Sequence, residues 1–553
     1  MSTEKGISIT AVTDEDLANA VNHFNRDKYT KDGRKMIYYD EYGDSEYAEY
    51  KYDILNGTEI VCDGACSNCE YLERVYMPGT LKHIGAHAFH GCEALDNVDI
   101  PDSVESIGEF AFGYCPTLSK IEIPPKVSEI AEGLFYLCES LSSVTFQGQI
   151  TSIGARAFEG CTKLRSFTIP ASVTDISGNP FVSCGETNLK SENNRFIFQD
   201  DFLIDRIENR LIGYYGKDET IVIPDYVTAL ADCIFANCSS LRHIKIPDSV
   251  TYIGSRAFYD CESLQEIVIP DSVTYIGDGA FCGCESLQEF VITDSVKYIG
   301  NSAFGGCKSL QEIVIPDSVT FIGVGAFQGC DLLRNVVLPQ NITTIREDTF
   351  YNCKSLKEIV IPDSVTSIEA RAFDGNSLQK ITLTKNLSSF SPGIFNYRGS
   401  ALQQILIEEG GAFIVQDSMV IDIRSGTLVY YFGNKETLII PNTVKELGNY
   451  CMGQNINLKY VTIPDSVTKI GNGCFKYCQY LLNVSIPISV TEIGARAFNP
   501  CFRLKEIEIP NSVIQIGEWC FELDIEKIIV SRYNKERISS FLEKPYQDKL
   551  TVR

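Results

Sequence analysis

The sequence predicts a repeat solenoid built from 23-residue coils, and three periodic features carry that prediction. Cysteine recurs every 23 residues at Cys69, Cys92, Cys115, Cys138, Cys161 and Cys184, again from Cys238 to Cys353, and again at Cys478 and Cys501. Phenylalanine keeps the same step from Phe89 to Phe181, from Phe235 to Phe373, and at Phe475, Phe498 and Phe521, with Met452 in that place once. The tetrapeptide Pro-Asp-Ser-Val stands unaltered at Pro101, Pro247, Pro270, Pro316, Pro362 and Pro464. A fixed period of this length marks a supersecondary unit copied along an axis. Such an array escapes the usual limit on domain size, because each coil contacts only its neighbours.

Leu264 to Cys284 (LQEIVIPDSVTYIGDGAFCGC) is a well-formed copy. Ile267 and Ile269 alternate with outward residues, the period of a strand buried on one face. Pro270 removes a backbone donor and ends the pairing. The Pro-Asp-Ser that begins there is turn chemistry, with the aspartate able to bond the backbone two residues on. Val273 and Ile276 turn inward on a second short extended piece. Gly277 is expected to supply a positive φ at the corner. Ala280, Phe281 and Cys284 have the spacing of a single helical turn. The ladder cysteines read as a column of buried free thiols, since free cysteine packs as a small hydrophobe. Counting imperfect copies gives about 18 coils.

The pattern L-x-x-I-x-I-P followed by V-T-x-I-G-x-x-A-F-x-x-C, over roughly residues 58–530, resembles the BspA-like (treponemal-type) leucine-rich repeat family. The resemblance implies a right-handed curved array with a parallel β-sheet on the concave side. It also implies a surface or secreted microbial protein used for adhesion and protein binding.

Two stretches interrupt the period. Phe196 to Thr220 aligns without gaps to Phe413 to Thr437, and each reads as a β-hairpin, with turns at Glu208-Asn209 and Ser425-Gly426. The expected organisation is a cap over 1–57, repeats over 58–185, a hairpin insertion over 186–223 and repeats over 224–402. A second hairpin insertion over 403–440, repeats over 441–530 and a cap over 531–553 complete it. The first cap holds a tyrosine- and acid-rich stretch, Tyr38 to Tyr52, and the last begins with a short charged helix, Asn534 to Phe541.

The net charge of −25 disfavours nucleic acid and anionic membrane surfaces and favours a basic or apolar protein or peptide partner. No run reaches the roughly 20 apolar residues needed to span a bilayer, so membrane insertion is not expected. Met1 to Val12 has no apolar stretch of signal-peptide length, so the chain reads as cytoplasmic as written, against the secreted or surface location that the resemblance implies.

The outward positions of the central strands are Glu266 and Val268, Glu289 and Val291, Glu312 and Val314, Asn335 and Val337, and Glu358 and Val360. Stacked carboxylates repel one another, and a row of exposed valines is an apolar patch. Together they form a candidate groove for a basic and apolar segment. The amino-terminal coils carry a different lining, Asn97, Asp99, Lys120, Glu122, Ser166 and Thr168. The turn aspartates Asp102, Asp248, Asp271, Asp317, Asp363 and Asp465 supply one carboxylate per coil, too few for calcium. Cys62, Cys66 and Cys69 precede His83, His87 and His90, but Cys66 and Cys69 take inward positions, so no metal and no cofactor is expected. Phosphate-loop, metalloprotease and serine-hydrolase motifs are absent. The sequence therefore points to a non-catalytic protein-binding solenoid for adhesion or recognition, with its ligand on the concave sheet. The alternatives are an intracellular scaffold or sensor, and, remotely, an enzyme whose site lies near a hairpin insertion.

Overall fold

The computed structural model describes residues 8–22, 27–39, 50–185, 187–390, 393–395 and 402–553. They form two compact units, Met1–Leu264 with Tyr275–Phe281, and Gln265–Thr274 with Cys282–Arg553. Both are stacks of one coil, and the chain is a parallel-sheet solenoid of about 22 turns of about 23 residues. That exceeds the number expected because turns form where the anchor residues are missing. Lys35–Tyr38 pairs in parallel with Ile60–Val61, and Lys51–Asp53 with Arg74–Tyr76, so stacking starts before residue 58.

The coil ending at Cys330 shows why the repeat folds as it does. Strand Glu312–Val314 pairs in parallel with Asn335–Val337, residue for residue at a step of 23. The Val319 N–H then donates to the Pro316 carbonyl at 3.0 Å, closing a turn in which proline is the first residue and supplies the acceptor. The same bond recurs at Val104, Val250, Val273, Val365 and Val467. In several coils the turn serine stitches coils together: Ser295 and Ser466 donate to the carbonyls of Val273 and Val444, each at 2.7 Å. Leu310, Ile313, Ile315, Val319, Ile322, Ala326, Phe327 and Cys330 are all buried. At about 2 kcal/mol per large side chain, this apolar burial is the main drive for stacking.

Two expectations are corrected. Gly277 does not have a positive φ; a Cβ there would lie 2.5 Å from the Ser255 backbone nitrogen of the preceding coil. Gly323 is in the same position, 2.4 Å from the Asn301 nitrogen. This glycine exists for close approach of backbone between coils. Ala, Phe and Cys also do not sit on a helical turn. Gly325 and Gly329 have φ of +62° and +70°, and left-handed residues four apart break a helix. The segment is a string of turns whose N–H groups alternate in direction. Ala326, Gln328 and Cys330 donate within the coil, to Gly323, Gly325 and Phe327. Gly325, Phe327 and Gly329 donate to carbonyls of the next coil, Glu347, Thr349 and Tyr351, at 2.7–2.9 Å. Other coils hold His87, Phe110, Arg156 or Trp519 at the first left-handed place. Each cross-coil bond offsets the roughly 1–2 kcal/mol that such a backbone costs a side-chain-bearing residue.

All 21 cysteines are free thiols, and most ladder members donate to a carbonyl of the preceding coil; Cys238, which follows the first insertion, is only half-buried. Cys330 reaches the Phe304 carbonyl at 3.2 Å and Cys353 that of Phe327 at 3.1 Å. Cys138, Cys261 and Cys501 repeat the bond. Burial pushes Cys184 and Cys478 up to about 12, which keeps them protonated donors and poor nucleophiles. Beside the thiols the phenylalanine rings stack, with Phe304 and Phe327 5.3 Å apart and within 1° of parallel.

Each insertion contains three antiparallel strands where one hairpin was expected. Phe196–Gln199, Phe202–Asp205 and Arg210–Tyr214 form the first, and Phe413–Gln416, Met419–Asp422 and Thr427–Tyr431 the second. The additional turns centre on Asp200-Asp201 and Asp417-Ser418, whose positive φ values suit a type I′ turn without its usual Asn-Gly. The last strand then joins the stack, pairing in parallel with Ala229–Leu230 or Glu446–Leu447. Meanwhile Asn179 seats directly on the coil after the insertion: its N–H donates to the Asp232 carbonyl at 3.1 Å, and its amide donates to Cys233 and Ile234.

Both insertions hold a carboxylate gripped by arginine. Asp205 is fully buried, takes Arg195 Nη2 at 2.6 Å, and accepts from the N–H groups of Ile207 and Glu208. Asp422, its equivalent, takes Arg424 Nη2 at 2.7 Å. Arg195 precedes the first strand of its insertion and Arg424 lies in the turn after the second strand of the other, yet each lies over the equivalent ring, Arg195 on Phe196 and Arg424 on Phe413. Burial alone would raise the Asp205 carboxyl; Arg195 and the two amides outweigh it and hold it below the usual range.

At the carboxyl end, helix Lys535–Phe541 and strand Leu550–Val552 close the second unit, the strand pairing with Lys527–Val530. Residues 40–49 of the tyrosine-rich stretch lie outside the described residues.

Three stability measurements test this account. Gly323→Ala should lower unfolding free energy by more than about 2 kcal/mol, because the blocking atoms are backbone. Cys330→Val keeps volume but loses the thiol donor, and should cost about 1 kcal/mol in denaturant titration. Asp205→Asn should cost ~2–4 kcal/mol at neutral pH. Because the folded carboxyl titrates below its unfolded value, the wild-type advantage is complete above the ordinary carboxylate range. It should shrink as pH falls below about 4.

Candidate functional site

The ten outward positions named from the sequence all lie in the second unit. Val268, Val291, Val314, Val337 and Val360 are 76, 71, 60, 54 and 64% exposed. Glu266, Glu289, Glu312, Asn335 and Glu358 are exposed beside them. Between each pair, Ile267, Phe290, Ile313, Val336 or Ile359 points into the stack, and strand alternation turns its neighbours outward.

Pairing fixes part of this face in register. Glu312 lies opposite Asn335, and Val314 opposite Val337. Glu358 lies opposite Lys380, and Val360 opposite Thr382. Glu289 and Val291 belong to no strand, so the sheet is interrupted at that coil. The rows end where Lys380 and Thr382 replace glutamate and valine. Lys380 Nζ is 3.6 Å from the Glu358 carboxylate. Among the described residues, Glu266, Glu289 and Glu312 have no ion-pair partner. The face thus presents an apolar row flanked by carboxylates that neighbouring cations leave unbalanced.

The first unit carries a different surface. Asp99, Lys120, Glu122, Ser166 and Thr168 are exposed on its strands, with Asn97 half-buried. The turn aspartates Asp102, Asp248, Asp271, Asp317, Asp363 and Asp465 are all exposed. Asp317 is used structurally, accepting from the Gln340 N–H at 2.7 Å. Cys62, Cys66 and Cys69 are buried in the core. His83 lies in a strand, its Nδ1 2.9 Å from the Ser106 hydroxyl, and His87 and His90 contact each other edge-on at 5.2 Å. Among the described residues, no group of three or more His, Cys, Asp and Glu side chains is placed to hold a metal ion. Among the same residues, no helix is long and apolar enough to cross a membrane.

The family model for the BspA type leucine rich repeat region matches residues 59–188, 207–334, 322–419 and 425–536. The chain belongs to the BspA-type leucine-rich repeat family. No curated protein matches the sequence. Among solved structures, this BspA-type chain is similar to a leucine-rich cell surface protein from Faecalibacterium prausnitzii. The two are 33% identical over 58% of this chain and 86% of that one, with a TM-score of 0.45. It is also similar to a leucine-rich repeat protein from Bacteroides ovatus, at 25% identity over 65% and 97% of the two chains and a TM-score of 0.45. A third, from Eubacterium ventriosum, shares 25% identity over 62% and 88%, with a TM-score of 0.44.

One feature of this BspA-type chain escaped the sequence reading. An open cleft of about 290 Å³ is lined by Lys476, Tyr477, Arg496, Asn499, Pro500 and Trp519. Its residues come from the turn strings of three successive coils, at places where the repeat has no consensus. The available signal was Trp519, the chain's single tryptophan.

Proposed function

We propose that this leucine-rich repeat protein is a non-catalytic binding protein for adhesion or recognition. Its ligand is a basic and apolar protein segment taken on the face of Glu266–Val360. The exposed valine row beside unpaired carboxylates carries the reading. Apolar side chains of a partner would cover the valines, and its lysines or arginines would offset the glutamates, giving both affinity and orientation. An extended segment suits an outward row that repeats at each coil. A neutral or basic partner also suits the protein's strong negative charge.

A second reading, an intracellular scaffold or sensor using the same face, is favoured by the thiol ladder. Reduced sulfur is what donates to the carbonyls, and reducing compartments preserve it. Both readings share the binding face, and cell fractionation separates them.

Arrays of synthetic peptides graded in charge and hydropathy test the face. Peptides alternating lysine or arginine with aliphatic residues should bind saturably at one per chain, and acidic or uncharged polar peptides should not. Val291→Lys, Val314→Lys and Val337→Lys combined should weaken binding at least about tenfold. Equal affinity in the triple variant would remove this face from the account.

A further inference from the structure

The cleft of Lys476, Tyr477, Arg496, Asn499, Pro500 and Trp519 lies on the turn strings of the second unit, away from the strand positions of the proposed protein-binding face. Its chemistry differs as well. Two of its six lining residues are cationic and none is acidic, in a chain of net charge −25. Among the described residues, neither Lys476 nor Arg496 has an ion-pair partner. Some other exposed cations of this unit, though not all, do find one: Lys459 meets Glu436 at 2.7 Å, and Lys469 meets Glu492 at 2.8 Å.

The aromatic groups are held in place before any ligand arrives. Trp519 is 43% exposed and Tyr477 40%. The Trp519 backbone N–H donates to Glu543 Oε1 at 2.7 Å, and its indole meets Tyr546 edge-on at 6.5 Å. The carboxyl-terminal segment thus fixes the tryptophan from behind. Lys476 Nζ lies 5.4 Å from the centre of the Tyr477 ring and 5.7 Å from that of Tyr450, which holds its ammonium over aromatic faces. Tyr477, Arg496 and Trp519 all have left-handed backbone, with φ of 64°, 54° and 52°. Their positions are set by the coil, since the Arg496 N–H donates to the Glu518 carbonyl at 3.0 Å.

We propose that this cleft binds a sugar carrying an anionic group. A flat indole beside a phenol offers a surface for the C–H face of a sugar ring. Asn499 offers both a donor and an acceptor for hydroxyls. Arg496 and Lys476 offer charge-assisted hydrogen bonds to a carboxylate or sulfate. The volume is near the low end for small-molecule sites, about 300 Å³, and suits one or two sugar units. The open, polar lining does not suit a buried apolar anchor. Carboxylated and sulfated sugars share this chemistry, and the test separates them.

Trp519, as the single tryptophan, makes its own emission a direct reporter in the intact chain. Glucuronic acid, N-acetylneuraminic acid and glucose 6-sulfate should each be titrated, with glucose, sodium acetate and sodium sulfate as controls at matched ionic strength. A saturable emission change with charged sugars at about millimolar affinity, absent with the controls, is expected. The tighter of the carboxylated and sulfated groups identifies the natural charge. Lys476→Gln and Arg496→Asn should each weaken binding at least about tenfold, and asparagine tolerates the left-handed backbone at 496. Unshifted thermal melting would establish that these variants remain folded. An equal response to glucose would overturn the role of the cations. A response to acetate or sulfate alone as large as to the charged sugars would overturn recognition of the ring. Either result leaves the peptide-binding face untouched, because the two tests share no residue.

Discussion

Every coil of this protein depends on backbone hydrogen bonds to the coils beside it. The amides of Gly325, Phe327 and Gly329 have no acceptor in their own coil and meet carbonyls of the next. The strand amides do the same through parallel pairing at a step of 23 residues. A buried amide without a partner costs more than most side-chain contacts contribute, so the spacing between coils is tightly constrained. The glycine at Gly277 and Gly323, the small alanine and the slender cysteine are consequences of that spacing, because each permits the backbones to approach.

The same constraint explains why cysteine recurs. The position needs a side chain small enough for the stack, apolar enough to be buried, and able to give a hydrogen bond to the carbonyl of the coil below. A thiol meets all three requirements, and its burial removes the reactivity that an exposed one would have. The column is a structural device. The chemistry that can vary is left to the outward strand positions and to the turn strings.

The inward anchors were legible because they repeat: Leu310, Ile313, Val319, Phe327 and Cys330 are where their spacing placed them. The reason for Gly277 was not, because an invariant glycine has two physical explanations, backbone freedom and lack of space, and the letter does not choose between them. The turn string was misread as a helical turn because Ala280, Phe281 and Cys284 have helical spacing, while the left-handed places hold residues as different as His87, Gly325 and Trp519. The additional turns at Asp200-Asp201 and Asp417-Ser418 lacked the usual Asn-Gly signal. The outward glutamates and valines could be named from alternation alone, but not the break in pairing at Glu289–Val291. The aromatic cleft left only its single tryptophan as a signal, since it joins non-repeating residues of three coils.

The direct seating of Asn179 on Cys233 joins positions 54 residues apart, against 23 for an ordinary step. Closing the longer loop costs only about 0.8 kcal/mol more in chain entropy, because that cost grows with the logarithm of length. The asparagine side chain, with bonds to two carbonyls, supplies a stabilisation of that order. Lengthening the chain at this joint is therefore nearly neutral for assembly. Whole strands can be gained or shed there while the turn strings on either side stay in contact.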